Sequence, residues 1–248
     1  KTNQSIPEMS LFLKDLDHYP RLTGIRRESF DLDMPFETLD RHFASGKGTV
    51  LLLSGSDSDA ARYHILGIDP WLTVTSRQDR VRVQGNGHDT VYREDPFTAI
   101  DELIRRFSLA EDARLDLPVQ AGFFGYLSYD LKDRIEKLPV TCMDTHLPDL
   151  CLFAPSVILV HNKKTARSDL LIPEFETDAS GAADQKYRSF FNRLNAIVED
   201  SSFAVDPRGF TSCFTKQEYV ASVERIIKYL KAGDIYQANL SQRFETGF

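Results

Sequence analysis

Ile65-Leu66-Gly67-Ile68, Leu72-Thr73-Val74-Thr75, Val81-Arg82-Val83 and Thr90-Val91-Tyr92 follow one another as short runs rich in β-branched and aromatic residues, separated by turn residues. Runs of this composition and spacing predict consecutive strands. Between the last two lies Gln84-Gly85-Asn86-Gly87-His88, whose glycines and Asn tolerate the positive φ of a tight hairpin. The stretch predicts an antiparallel meander.

Upstream, Asp33-Met34-Pro35-Phe36 sets a capping residue before Pro, and Phe36, Leu39 and Phe43 recur at helical spacing. A short helix should end near Ser45 to Gly48. Thr49-Val50-Leu51-Leu52-Leu53-Ser54, bounded by Gly48 and Gly55, is a continuous apolar run and predicts a central strand buried on both faces.

Downstream, Asp95-Pro96 opens an amphipathic helix in which Phe97, Ile100, Leu103, Ile104 and Phe107 share a face. Residues 120–130 form a glycine-punctuated strand running into a turn, where Gly122 and Gly125 serve close backbone approach and Tyr126, Tyr129 and Asp130 pack and cap the turn. Further strands are expected at Leu150 to Phe153, Ser156 to Val160 and Leu170 to Ile172, with Asn162-Lys163-Lys164 turning before the last. Tyr187, Phe190, Phe191, Leu194, Ile197 and Val198 mark another helix. The polar segment from Glu199 to Cys213, with Pro207 and Gly209, reads as a linker. Beyond it, Thr215-Lys216-Gln217-Glu218 has the form of a capping box, Tyr219, Val220, Val223, Ile226, Ile227 and Leu230 form a stripe predicted to be buried, and Gly233 suits a left-handed C-cap. Ile235 to Phe244 is expected to resume as a strand.

With 248 residues, 42% of them apolar, the chain can bury a substantial core, which excludes a disordered protein. A net charge of -7 offers no electrostatic reason for a nucleic-acid or anionic-membrane partner. Apolar runs such as Val50 to Leu53 fall far short of the ~20 residues needed to cross a bilayer. Lys1-Thr2-Asn3-Gln4-Ser5 shows no secretory h-region, and three cysteines, Cys142, Cys151 and Cys213, are too few and odd in number for a disulfide framework. A soluble, cytoplasmic protein is the expectation.

Motifs for chemistry are sparse. Gly85-Asn86-Gly87 lacks the third glycine of a dinucleotide fold, and Gly122-Phe123-Phe124-Gly125 has no Lys-Ser/Thr after it. Cys142, Asp144, His146, Asp149 and Cys151 cluster in one loop-like stretch, but no Cys-x-x-Cys or His-x-x-x-His spacing orders them, so the stretch reads as solvated loop and no metal ligands are assigned. No Gly-x-Ser-x-Gly elbow is present. Composition and spacing alone stop at an α+β protein, chiefly antiparallel sheet in a sandwich-like core with peripheral helices.

A longer pattern goes further. Lys231-Ala232-Gly233-Asp234-Ile235-Tyr236-Gln237-Ala238-Asn239-Leu240-Ser241-Gln242-Arg243-Phe244 resembles the opening of the chorismate-binding domain in component I of aminodeoxychorismate synthase and anthranilate synthase. Gly125-Tyr126-Leu127-Ser128-Tyr129-Asp130, with Arg134, Glu136, Leu138 and Pro139, is similar to that family's Gly-Tyr-x-x-Tyr-Asp stretch. Leu51 to Gly55, followed by Arg62-Tyr63 and Ile68-Asp69-Pro70, resembles its buried strand and the turn after it. The resemblance implies that residues 1–205 form the N-terminal domain and residues 212–248 the first helix and strand of the chorismate-binding domain, with the remainder of that domain beyond Phe248.

It also implies a function: amination of chorismate to 4-amino-4-deoxychorismate for p-aminobenzoate and folate, with ammonia from a glutamine amidotransferase subunit. Mg²⁺ is the implied cofactor, its ligands lying outside this chain, so the chain alone is expected to be inactive. Gln237 is the implied catalytic residue: related enzymes that add water carry Lys there, and an amide can hydrogen-bond but cannot take a proton from water. Ser54, Arg62 and Tyr63 are the implied lining of a second pocket, for tryptophan, although Leu53-Ser54-Gly55 departs from the Leu-Glu-Ser pattern of feedback-regulated members. Asn239 favours the aminodeoxychorismate branch. Anthranilate synthase component I and a non-catalytic tryptophan-binding or assembly module are the alternatives.

Overall fold

The structure, a computed structural model, describes residues 11–55, 58, 60–109, 115–137, 147–198 and 209–247. The elements run α1 (Leu11–Asp15), β1 (Leu22–Asp31), α2 (Leu39–Phe43), β2 (Val50–Leu52), β3 (Tyr63–Arg77), β4 (Arg80–Gly85), β5 (His88–Arg93), α3 (Pro96–Arg106), β6 (Phe124–Leu127), α4 (Lys132–Ile135), β7 (Leu150–Asn162), β8 (Arg167–Phe175), α5 (Ala182–Leu194), β9 (Thr211–Ser212), α6 (Lys216–Ala232) and β10 (Phe244–Glu245). By contact density the chain divides into two compact units, residues 1–198 and residues 199–248.

The first unit is built on one eight-stranded antiparallel sheet in the order β1-β8-β7-β3-β4-β5, with β2 also paired to β3 and β6 to β7. The α+β, antiparallel expectation holds. The meander is present: β4 and β5 pair through Gly85↔His88, and Asn86 and Gly87 adopt φ of 49° and 77°, as a two-residue hairpin with positive φ at both positions requires. The two runs at Ile65 and Leu72 are one long strand, interrupted by a register shift between Pro70 and Leu72 and by Asp69 at φ 51°. Likewise β7 runs unbroken through Pro155. A proline is tolerated at such an irregularity because the ladder already loses a hydrogen bond there.

The central position falls elsewhere than expected. β2 is a three-residue strand whose recorded ladder is with β3, and Leu52 and Leu53 are 47% and 46% exposed. The strands buried on both faces are β7 and β8, where Val157 to Val160 and Ser168 to Ile172 are buried without interruption. A continuous apolar run is therefore compatible with a short edge strand as well as a central one.

Gly125 explains the pairing of β6 with β7. A Cβ built there would lie 1.9 Å from the Cys151 carbonyl oxygen, and its φ is 149°, a region closed to L side chains. The turn residues beside it behave differently from expectation: Tyr129 is 83% exposed, with the Lys132 ammonium 5.4 Å from its ring centre, so it does not pack. No side-chain cap is made where the following turn begins at Ser128.

Helices cover the sheet where apolar side chains need a second layer. Asp95 caps α3 by accepting from the N–H groups of Phe97 and Thr98, and α3 buries Ala99 and Leu103 against Leu72, Val74, Val81 and Val83. Ile104, expected on that face, is 53% exposed. On a second cluster, Phe43 and Phe190 stack at 5.2 Å, joining α2 to α5 over Leu66, Ile68, Leu159 and Leu170. α5 ends at Leu194, and Ile197, expected on its buried face, is fully exposed.

In the second unit, α6 carries both predicted ends. Thr215 Oγ1 accepts from the Glu218 N–H at 3.2 Å, Glu218 Oε2 accepts from the Thr215 N–H at 2.8 Å, and Gly233 sits at φ 81°. Its apolar stripe is not buried: Val220, Ile227 and Leu230 are 46%, 42% and 39% exposed, and Tyr219, Val223 and Ile226 are half-buried. The strand expected from Ile235 to Phe244 is reduced to Phe244–Glu245, paired with β9. Capping is local and needs no partner, whereas a strand and an apolar stripe both need one.

Candidate functional site

The sequence-derived pocket residues begin where β2 ends and β3 begins. Ser54 is held by three hydrogen bonds: its hydroxyl donates to the Tyr63 carbonyl at 2.6 Å, its N–H donates to His64 Nδ1 at 3.1 Å, and its carbonyl accepts from Lys163 Nζ at 3.2 Å. Every one of these ties the strand end to β3 or to the β7–β8 turn. Ser54 thus shapes the site from behind.

Arg62 and Tyr63 lie in front. The Arg62 guanidinium stands 5.4 Å from the Tyr63 ring centre, and both residues line a polar pocket of about 400 Å³. Arg27 and Ser29 from β1, Val160 and Asn162 from β7, Arg167 and Asp169 from β8, and Asp116 complete much of its wall. Antiparallel register makes this assembly, since Arg27 opposes Leu171, Ser29 opposes Asp169, and Val160 opposes Asp169 across the ladders. Asp169 is the anchor: it accepts from Arg27 Nε at 2.8 Å and from the Ser29 hydroxyl at 2.5 Å. Burial alone would raise its carboxyl, but these two hydrogen bonds and the nearby Arg charges hold it below the usual carboxylate range.

Arg27, Ser29, Arg167 and Asp169 escaped the sequence reading because more than 130 positions separate the two groups and only sheet register joins them. The apolar residues of β1, Leu22, Ile25 and Phe30, keep no period of two, so no sequence signal marked this strand.

Behind Ser54 sits a pair of histidines. His64 and His161 stack with ring centres 6.2 Å apart, and Phe36 lies 5.3 Å from His64. Burial pushes the His64 imidazole below its ordinary value, with Lys163 acting in the same direction and Glu37 against it. His161 is lowered by burial and by His64. His64 Nδ1 accepts a hydrogen bond, so the neutral ring with its proton on Nε2 faces Glu37, 3.6 Å away.

A separate apolar cavity of about 220 Å³ opens beside Trp71, which packs edge-on to Phe107 at 4.9 Å and Phe175 at 4.7 Å. In the second unit, Gln237 lies exposed in the extended segment after α6, as does Asn239, and Tyr236 is 97% exposed. Of the loop stretch weighed for metal, Cys142, Asp144 and His146 lie outside the described residues. Among the described residues no group of three or more His, Cys, Asp or Glu side chains could hold a metal ion, and no helix is long and apolar enough to cross a membrane.

Comparison with known proteins adds the family. Residues 56–248 match the profile described as chorismate binding enzyme. Anthranilate synthase component 1 of Bacillus subtilis (strain 168) is 25% identical over 259 residues, covering 96% of this chain and 49% of that protein. Aminodeoxychorismate synthase component 1 of Escherichia coli (strain K12) is 27% identical over 203 residues, covering 80% of this chain and 42% of that protein. The chain thus spans about half, or less, of the curated relatives it matches. A crystal structure of anthranilate synthase component I from Streptococcus pneumoniae TIGR4 shares the fold, with a TM-score of 0.59 at 22% identity over 80% of this chain and 44% of that one. With the profile matching well over half of its length, this chain belongs to the chorismate-binding enzyme family.

Proposed function

We propose that this chain is the N-terminal part of an aminodeoxychorismate synthase component I, which replaces the C4 hydroxyl of chorismate with an amino group. The observation that carries the reading is the Tyr236-Gln237-Ala238-Asn239-Leu240 segment, which pairs an amide at the position of a water-activating Lys with an Asn typical of the folate branch. A desolvated Lys can accept a proton from water and thereby make it a nucleophile. Gln237 lacks a basic site and can only orient a nucleophile, which suits ammonia, already basic enough to attack unaided. Ammonia would be delivered by a glutamine amidotransferase subunit. Mg²⁺ would be held by residues outside this chain.

The test has two arms. Residues 1–248 alone, given chorismate, ammonia and Mg²⁺, should show no turnover. Combined with the rest of a component I, they should yield 4-amino-4-deoxychorismate without pyruvate release; anthranilate with pyruvate would assign the tryptophan branch instead. In the completed enzyme, Gln237→Lys should raise water-addition products relative to aminated ones. An unchanged ratio would remove Gln237 from the chemistry.

The pocket beside Tyr63 supports a second reading, tryptophan binding by the first unit. Since Ser54 is consumed by the strand end, Arg62→Ala is the informative variant, and calorimetry with tryptophan should show binding that this change weakens. Equal heats from both proteins would dismiss the pocket as a tryptophan site.

A further inference from the structure

The outer face of the β3–β4–β5 meander carries an arrangement that neither chorismate chemistry nor tryptophan binding uses. Arg77 lies directly opposite Arg80 across β3 and β4, and Arg80 lies directly opposite Arg93 across β4 and β5. Three like charges therefore stand in one row across three strands, with Arg82 one row away opposite Thr75. All four guanidinium-bearing side chains are exposed, while Val81, Val83 and Tyr92 between them point into the core. Like charges directly opposite one another destabilise a sheet. In a chain of net charge -7, such a concentration of arginine is not a consequence of composition.

A pocket of about 240 Å³ lies at the same place, lined by Thr75, Ser76, Arg77, Arg80, Arg82 and Pro148. That is several times the ~30 Å³ share of one water molecule in the liquid.

Acidic neighbours hold Arg82 and Arg93 in place. Asp89 accepts from Arg82 Nε and Nη2 at 2.7 and 2.6 Å, leaving Nη1, and Asp79 accepts from Arg93 Nε at 2.8 Å. Asp149 is engaged by the Gln78 N–H at 2.7 Å. Arg80 has no ion-pair partner among the described residues.

We propose that this hairpin pocket binds a small, multiply charged oxyanion, gripped by Arg80 and Arg82 with Arg77 in its wall. Guanidinium groups suit the task because their planar N–H pairs match phosphate and carboxylate oxygens. The bound anion relieves the repulsion along the Arg77–Arg80–Arg93 row, so binding and stability are coupled.

The experiment uses the 248-residue chain with pyrophosphate and with citrate, at ionic strength matched by sodium chloride. Calorimetry should show saturable binding of at least one of them, and the tighter of the two tells phosphate from carboxylate recognition. Either ligand should raise the melting temperature beyond the sodium chloride control. Arg80→Gln and Arg82→Gln should each weaken binding roughly tenfold or more, the loss of a charge-assisted hydrogen bond. Without anion, Arg80→Gln should melt no lower than the parent, because it removes the middle charge of the row. Absence of saturable binding, equal stabilisation by chloride, unchanged affinity in Arg80→Gln, or a lower melting temperature for that variant without anion would each overturn the proposal.

Discussion

Helices α3 and α6 are both closed by side-chain caps, Asp95 on Phe97 and Thr98 in one and the Thr215–Glu218 box in the other. α3, with 11 residues, buries Pro96, Ala99 and Leu103. α6, with 17 residues, buries none. Good capping and a strong apolar stripe thus coexist with an uncovered helix, because capping is satisfied within one turn while burial needs a second surface. The first unit supplies that surface in its sheet. In the second, the two-residue strands β9 and β10 do not.

The contrast can be broken at the point where the first unit tolerates least. Gly125→Val would drive a Cβ into the Cys151 carbonyl at a φ that L residues avoid, and should cost more than about 4 kcal/mol, enough to unfold the sheet around β6 and β7. Trp71, the single tryptophan, sits between Phe107 and Phe175 and reports on the first unit alone. A Gly125→Val chain whose Trp71 emission and melting match the parent would show that β6 is dispensable.

The difference sharpens when one apolar side chain is removed from each region. Leu72 is fully buried, and Leu72→Ala should cost about 2–5 kcal/mol by transfer and cavity effects. Ile227, at 42% exposure on α6, should cost no more than about 0.5 kcal/mol on the same change. Urea titrations followed by Trp71 fluorescence for the first and far-ultraviolet dichroism for the second provide the comparison. Equal losses would mean that α6 is packed as tightly as the sheet.

What could be read from sequence divides along the same line. The Asn86-Gly87 hairpin, the Asp95 and Thr215 caps and the Gly233 C-cap were legible because each depends on residues within a few positions. The glycine at 125 was legible as a close approach, though the atom it approaches was not. Misread were the role of β2 and the burial of α6, since an apolar run states that burial is affordable to the chain without stating which surface provides it. Least visible of all was the wall of the Arg62–Tyr63 pocket, which exists only after β1 and β8 are placed in register.

Acidification tests the first unit through its histidine pair. His64 and His161 are both pushed below the ordinary value of 6.5, burial being the main cause for each, so the folded protein binds protons less readily than the unfolded chain. Their contribution to stability is complete above about pH 6.5 and is lost as the pH falls below it, levelling off beneath the folded-state values. His64 also loses its role as acceptor for the Ser54 N–H once protonated. Thermal melts followed by Trp71 between about pH 7.5 and about pH 5 should therefore show a falling midpoint, shallower in His64→Gln. A midpoint that rises on acidification, or an identical slope in the variant, would remove the pair as the cause.

Thr215→Ala should have the smallest effect, and one confined to the second unit. The hydroxyl satisfies the Glu218 N–H, and its removal should cost α6 about 1 kcal/mol. Because no side chain of α6 is buried, capping is a larger share of what holds this helix than it is for α3. Amide exchange in the first turn of α6 should speed up roughly fivefold, while the Trp71 melting midpoint stays where it was. Asp95→Ala removes the equivalent cap from α3, but there the packing of Ala99 and Leu103 should keep exchange slow. If both helices respond alike, burial does not separate them, and the contrast between the two regions fails at the level of single turns.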